Sequence, residues 1–484
     1  MAEENRQLRE ANEQLRRKLK EHQEQLAQAQ QVLKQHKQEN EHLRKQPLTL
    51  PSDLPLKHHS FGPEMISLCL NLAKQIGFRP TETALKTVFD WLGVDAKVPS
   101  FDSIRTWSCR VGVAQLKSVE RDGEQWIWMA DHSNQIGQEK LLQIIGIRTK
   151  DLPPIGETLS REKMVVLATV PGTRWTRDDV RREYRKLAEQ MGPPACLITD
   201  GALELIESAD TLEFEGKTPV VLRDFKHFAA NVFEKLIGKN ERFKEFQTKL
   251  GQTRNAIQQT ELGHFTPPPQ KPKARFMNLG ATLRWGEMIS YHLSDCRSQS
   301  RQGITTERMN EKLGWVRDFR DDLAAWNRCQ QVLQTSLRFI NRHGLYHGAA
   351  NKLKIELNAL QATHPPDCEV SQTMASRLVA FVKESENLLP DGDRAWLSTE
   401  NLESLFGQYK QLEGQHSKGG FTSLIAALPM LLTDWTPEKV RTSLSAVSVK
   451  EMKHWTADHL GTTLGSKRTN AYKEANNNTG QIKT

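Results

Sequence analysis

Between residues 126 and 224 the chain carries five short apolar runs: WIWMAD (126–131), KLLQIIGIRT (140–149), KMVVLATV (163–170), ACLITD (195–200) and TPVVLRD (218–224). Runs this short, rich in Val and Ile and separated by turn-forming residues, read as strands, whereas the charged stretch at 176–191 reads as a helix. The order is a meander of three strands, then helix, strand, helix and strand. This alternation defines an α/β core with a mixed sheet.

That order is the order of an RNase H-like sheet, in which the first and fourth strands are neighbours. Asp131 ends the first run and Asp200 the fourth, so their carboxylates emerge at one edge. Hard divalent cations take oxygen ligands, and a pair of ions about 3.5–4 Å apart needs at least three carboxylates to hold it. The third is expected on a helix packed beside the sheet. An aspartate at a strand end also serves as a turn or helix-capping residue; Asp224, just before FKHFAANVFEKL, is a candidate for that role. His132, Asp224 and His227 are candidates for groups that support metal ligands.

The flanks divide the rest of the chain. Residues 1–47 form a dimerisation arm: Leu8, Leu15, Leu19, Leu26, Leu33 and Leu43 follow a heptad register, with Asn5, Asn12 and Asn40 on a-type positions, the pattern of a parallel homodimeric coiled coil. Residues 48–120 hold a Pro-containing linker and three helical stretches at 63–76, 80–93 and 100–117. The last opens on Ser100 as an N-cap and presents Arg105, Trp107 and Arg110, as the recognition helix of a helix-turn-helix would. The first part of the catalytic core spans 121–238, an α-helical insertion 239–395, the second part of the core 396–460, and a polar basic tail 461–484.

Within the insertion, twelve Lys and Arg face six Asp and Glu between Lys239 and Arg308, and the loop PPPQKPKAR offers Lys271, Lys273 and Arg275 to phosphates. Trp285 is a candidate for stacking on an unpaired base. The whole chain carries a formal charge of +8, which suits a polyanionic partner. The six cysteines (Cys69, Cys109, Cys196, Cys296, Cys329 and Cys368) lack a C-x-x-C pair and any zinc spacing, and read as reduced thiols. The N-terminus has no apolar signal core, and LIAALPMLL (424–432) is far too short to span a bilayer, so a cytoplasmic protein with no membrane contact is expected. The five tyrosines show no setting beside an arginine cluster of the kind a covalent recombinase needs.

Three segments carry a family resemblance. WMADHSNQIGQEKLLQIIGI around Asp131 resembles the first-aspartate strand and hairpin of DDE-type transposases of bacterial insertion sequences. CLITDGALEL around Asp200 resembles their second-aspartate strand, and TENLESLFGQYKQL (399–412) the helix that carries their glutamate. Glu403 and Lys410 match the Glu-x6-Lys half of a Tyr-Arg-Glu-Lys signature, and seven residues on a helix put both on one face. Trp396 and Thr399 stand where that signature has Tyr and Arg.

The resemblance implies a transposase that cleaves and joins DNA at the ends of a mobile element, using Asp131, Asp200 and Glu403 as ligands of two Mg²⁺ or Mn²⁺ ions. Double-stranded DNA is the implied partner, with Lys410 on a phosphate. Glu234 is the rival for the third ligand, and Glu400 the local alternative. The rival functions are a domesticated, non-catalytic DNA-binding regulator and a structure-specific nuclease on the same fold.

Overall fold

The computed structural model describes residues 2–45, 53–136, 139–213, 218–270, 279–294, 305–363, 368–414, 421–460 and 471. The chain divides into two compact units, 1–104 and 105–484. The division falls at residue 104, within the third helix expected in the sequence, and residues 105–484 form one unit.

In the first unit, α1 (Ala2–Lys45) is one continuous helix. Leu19, Leu26 and Leu33 of the heptad stripe are more than half exposed on it, while the side chains of Leu8, Leu15, Leu43, Asn5, Asn12 and Asn40 lie outside the described residues. A coiled-coil pairing is therefore not seen in this single chain. α2 (Pro63–Ile76) starts with Pro at its first turn, and the Asp53 carboxylate accepts from Glu64 N and Met65 N at 3.1 and 2.8 Å, satisfying two of the open N-terminal donors. Its buried residues Ile66, Cys69, Leu70 and Ala73 follow the helical repeat. α3 (Phe78–Leu92) buries Phe78, Leu85 and Phe89 and ends at Gly93. The three helices expected at 63–76, 80–93 and 100–117 are thus present, the last as α4 (Phe101–Lys117), where Ser103 N donates to Ser100 Oγ at 3.3 Å.

The second unit is built on a five-stranded sheet: β1 (Trp126–Ile136), β2 (Glu139–Arg148), β3 (Val165–Gly172), β4 (Cys196–Thr199) and β5 (Val220–Arg223), in the order β3-β2-β1-β4-β5. β1, β2 and β3 are antiparallel to one another, whereas β4 runs parallel to β1 and β5 parallel to β4. This order and these directions are consistent with an RNase H-like core. α5 (Arg177–Met191) opens with a capping box between Thr176 and Asp179. It packs Val180, Tyr184 and Leu187 against Trp126, Trp128, Ala130 and Leu197 of the sheet. The short α6 (Leu203–Ile206) follows β4, and α7 (Phe225–Phe233) follows β5 directly.

The elements described between residues 241 and 386 are mostly long helices: α8 (Glu241–Ile257), α9 (Leu279–Ser294), α10 (Thr306–Leu313), α11 (Arg320–His343), α12 (Ala349–Thr363) and α13 (Glu369–Glu386). Phe243, Phe246, Phe319 and Trp326 form an aromatic core there, with Phe243 edge-on to Trp326 at 5.0 Å. The chain then returns through α14 (Glu400–Gly414), a 3₁₀ segment (Ser423–Leu432), α15 (Pro437–Ala446) and α16 (Val449–Leu460). The 3₁₀ segment is the LIAALPMLL run, wholly buried, with Pro429 inside it. No described helix is long and apolar enough to cross a membrane.

α4 corrects the helix-turn-helix expectation. Trp107 is 5 % and Arg110 7 % exposed, and the Arg110 guanidinium donates to Leu444 O and Val447 O at 2.7 and 2.8 Å. These are carbonyls at the end of α15, which a cation caps favourably. Arg105 is half-buried and donates to Ser423 Oγ at 2.8 Å. Gly112 lies so close to the Ala426 carbonyl that a Cβ there would meet its oxygen at 2.0 Å. Arginine and tryptophan on a helix look alike in sequence whether they face a groove or a neighbouring chain segment; here from Arg105 onward the helix is a core element.

Candidate active site

The site begins with the sheet register. Ala130 of β1 pairs with Thr199 of β4, and Thr199 with Arg223 of β5. The next residues along these three neighbouring strands are Asp131, Asp200 and Asp224, so one sheet edge carries three aspartates side by side. Parallel neighbours lie about 4.8 Å apart. Asp131 is 1 % exposed, because β1 is the central strand and Asp131 still pairs with Gln143 of β2 before the register shifts. Asp131 is therefore closed to solvent, whereas Asp200 and Glu403 are half-buried. Behind Asp200 the chain turns at Gly201, whose φ of +100° is left-handed, and Ala202 N donates to Asp200 Oδ1 at 2.9 Å. Next to Asp131, His132 Nε2 meets Glu204 Oε1 at 2.6 Å, which ties β1 to the segment that follows Asp200.

Asp224 is the N-cap that its position suggested: Oδ1 accepts from Lys226 N at 2.8 Å. Its other oxygen takes His227 Nδ1 at 2.9 Å and the hydroxyl of Thr399. The Thr399 bond, together with Phe225 N donating to Leu397 O at 3.1 Å, joins the returning chain to the start of α7. α14 starts one residue later, and this junction is what delivers Glu403 to the sheet edge. Asp224, His227 and Glu403 each have a donor atom within 4.8 Å of the others. Among the described residues this is the trio that meets so closely; Asp131, Asp200 and Glu403 do not converge at that distance. Like charges that lack a shared cation repel, and Glu403 is held instead by an ammonium: Lys226 Nζ lies 2.6 Å from Glu403 Oε2 and 3.2 Å from Glu400 Oε1.

Electrostatics follow from this network. Burial opposes the charge on Lys226, but the hydrogen bond and charge of Glu403, with Glu400 behind it, hold its pKa above the usual lysine value. The hydrogen bond to Asp224 raises His227 to about 9 against the pull of burial, and the charges of Asp224, Glu403 and Asp200 add to it. His227 is thus held toward its protonated form in the metal-free chain. The oxygen donors of the cluster are the Asp224 and Glu403 carboxylates, and Glu403 already accommodates a positive charge, so the residues fit a hard divalent ion.

A pH dependence follows. Since the folded pKa of His227 lies above 6.5, its contribution to stability is fully present below that pH and is lost as pH rises through about 9. The side chain is 39 % exposed, so solvent screening reduces the effect to on the order of 1 kcal/mol. Denaturant unfolding at pH ~6 and ~10 should show this loss in the native chain and not in His227→Gln.

The other sequence candidates separate clearly. Glu403 joins the cluster and Glu234, half-buried nine residues into the helix after β5, does not. Lys410 is exposed on α14. Trp285 is 5 % exposed and its indole donates to Phe265 O at 2.7 Å, so it is a core residue and not a base-stacking platform. Lys271, Lys273, Arg275 and Cys296 lie outside the described residues. The other five cysteines are free thiols. Lys226 and the Thr399 contact were missed; Asp-x-Lys-His directly after a strand was the signal available for Lys226.

No family model matches the chain, and no curated protein matches it. A solved structure that is similar to it is the Drosophila P element transposase strand transfer complex, at 12 % identity over 79 % of this chain and 94 % of that chain, with a TM-score of 0.40. Agreement that loose carries no argument about what this chain does.

Proposed function

We propose that the chain is a DDE-type transposase that cleaves double-stranded DNA and joins its ends, with Asp131, Asp200 and Glu403 as the catalytic carboxylates. The observation that carries this reading is the delivery of Glu403, from far along the chain, to the edge where Asp131, Asp200 and Asp224 follow in register. A structural aspartate cap would need no such partner. In a site of this kind, Mg²⁺ or Mn²⁺ ions supply activation of an attacking water or 3′-hydroxyl and neutralisation of the leaving oxygen. Asp131 offers an oxygen ligand from β1, Asp200 one from the turn after β4, and Glu403 one from α14. Lys410, on the same helix, suits a DNA phosphate, as do Lys271, Lys273 and Arg275, which lie outside the described residues.

Two DNA ends have to be held together for joining, and the exposed Leu19, Leu26 and Leu33 of α1 support pairing with the same helix of a second copy. A cytoplasmic, DNA-associated protein is the corresponding location.

The test uses labelled duplexes taken from the DNA flanking the gene, incubated with the full chain and Mg²⁺ or Mn²⁺. A transposase leaves 3′-hydroxyl ends and joins them to a second duplex. Cutting without joining identifies a structure-specific nuclease, and binding without cutting a DNA-binding regulator; either result overturns the proposal.

A further inference from the structure

Lys226 stands where a metal-binding carboxylate has to be free. Its ammonium is 2.6 Å from Glu403 Oε2, and its side chain is 11 % exposed against 36 % for Glu403. The lysine is thus the fixed member of the pair, anchored also by its backbone N–H on Asp224 Oδ1 at 2.8 Å. Glu400, one turn earlier on the same helix, is directed at the same ammonium: Oε1 is 3.2 Å from Lys226 Nζ, while Oε2 accepts from Asn341 Nδ2 of α11 at 2.6 Å. Glu400 keeps this position whether or not Glu403 stays, because Asn341 holds it independently.

A divalent ion on Glu403 and an ammonium on the same carboxylate would be like charges within a few ångströms, a repulsion many times thermal energy away from bulk water. The two cations therefore compete for this carboxylate. Taking Glu403 as a metal ligand, we propose that Lys226 is a positioning residue that occupies Glu403 in the metal-free protein, gives it up when a cation binds, and is retained by Glu400. The arrangement keeps the acidic edge neutralised before loading and sets the affinity for the ion. Once released from Glu403, the ammonium stays beside the reaction centre, where a phosphate oxygen of bound DNA is its natural partner.

Mn²⁺ binding to the full-length protein without DNA, followed by calorimetry and by the paramagnetic resonance signal of free Mn²⁺, tests this directly. Lys226→Met removes the competitor and should tighten Mn²⁺ binding by about tenfold, within the usual span of couplings between two binding events. Glu400→Gln takes away the resting place of the ammonium and should weaken binding several-fold. In the Lys226→Met background the same Glu400→Gln change should have no effect. Lys226→Gln, which keeps a hydrogen bond to Glu403 without the charge, serves if the methionine variant does not fold. Weaker or unchanged Mn²⁺ binding in the folded Lys226 variants makes the lysine a plain structural tie and overturns the proposal. If Glu403→Gln binds Mn²⁺ as the native protein does, the fault lies instead in the assignment of Glu403 as a ligand, and both readings fall.

Discussion

Glu403→Gln is expected to abolish metal-dependent cleavage and joining while DNA binding persists. The substitution keeps the shape of the side chain and removes its charge, so the loss tests ligation and not packing. Loss of a partner behind a metal ligand already lowers affinity or activity by about 10–100-fold, and loss of a ligand should exceed about 100-fold. Binding to DNA rests on lysines and arginines elsewhere and should keep its salt dependence. Glu234→Gln is the control: Glu234 is not part of the cluster around Asp224 and His227, and its variant should act as the native chain does. Single-turnover cleavage and a filter-binding isotherm on the same duplex separate the two properties. Retained activity in Glu403→Gln, or its loss in Glu234→Gln, would transfer the role to the other glutamate.

Gly112→Ala is expected to destabilise the second unit by about 3 kcal/mol, although alanine in a helix ordinarily gains roughly 1 kcal/mol over glycine. The reversal of sign comes from the close approach of α4 to the 3₁₀ segment, where the added carbon would lie 2.0 Å from the Ala426 carbonyl oxygen and 3.2 Å from Pro429. A backbone oxygen cannot swing aside as a flexible side chain can. The whole 3₁₀ segment would have to shift, pulling on the Arg105–Ser423 hydrogen bond. Gly407 of α14, where a Cβ would meet no described atom within 4 Å, supplies the contrast: Gly407→Ala should be neutral or stabilising. Denaturant midpoints of the two variants would reveal whether α4 is as tightly packed as its geometry requires.

The strands were legible because each buried run is short and bounded, and the observed β1 to β5 fall on the five apolar runs. The placing of Asp131 and Asp200 on neighbouring strands was legible because each closes such a run. Glu403 was singled out through resemblance alone, since a carboxylate on an amphipathic helix has no local mark of its partners. Lys226 and Thr399 were invisible for a related reason. Their bonds cross from Lys226 to Glu403 and from Thr399 to Asp224, and no periodicity records a contact between segments so far apart. Arg110, Trp107 and Trp285 show the opposite failure. Residue types suited to nucleic acid are equally suited to capping a helix or filling a core, and burial decides between those uses.

The junction of Leu397 and Thr399 with Phe225 and Asp224 bears on how such a chain can vary. The peptide leaves the sheet through α7 and comes back beside the very residues where α7 began, so everything between behaves as a side trip from one doorway. Closing a longer excursion costs only about 0.6 kcal/mol for each doubling of its length. The threshold, and not the length of the detour, is what keeps Glu403 in register with the strands. Helices could be added to or trimmed from the excursion over evolutionary time while the acidic edge stayed as it is, provided the two strips of backbone at the doorway remained stitched together.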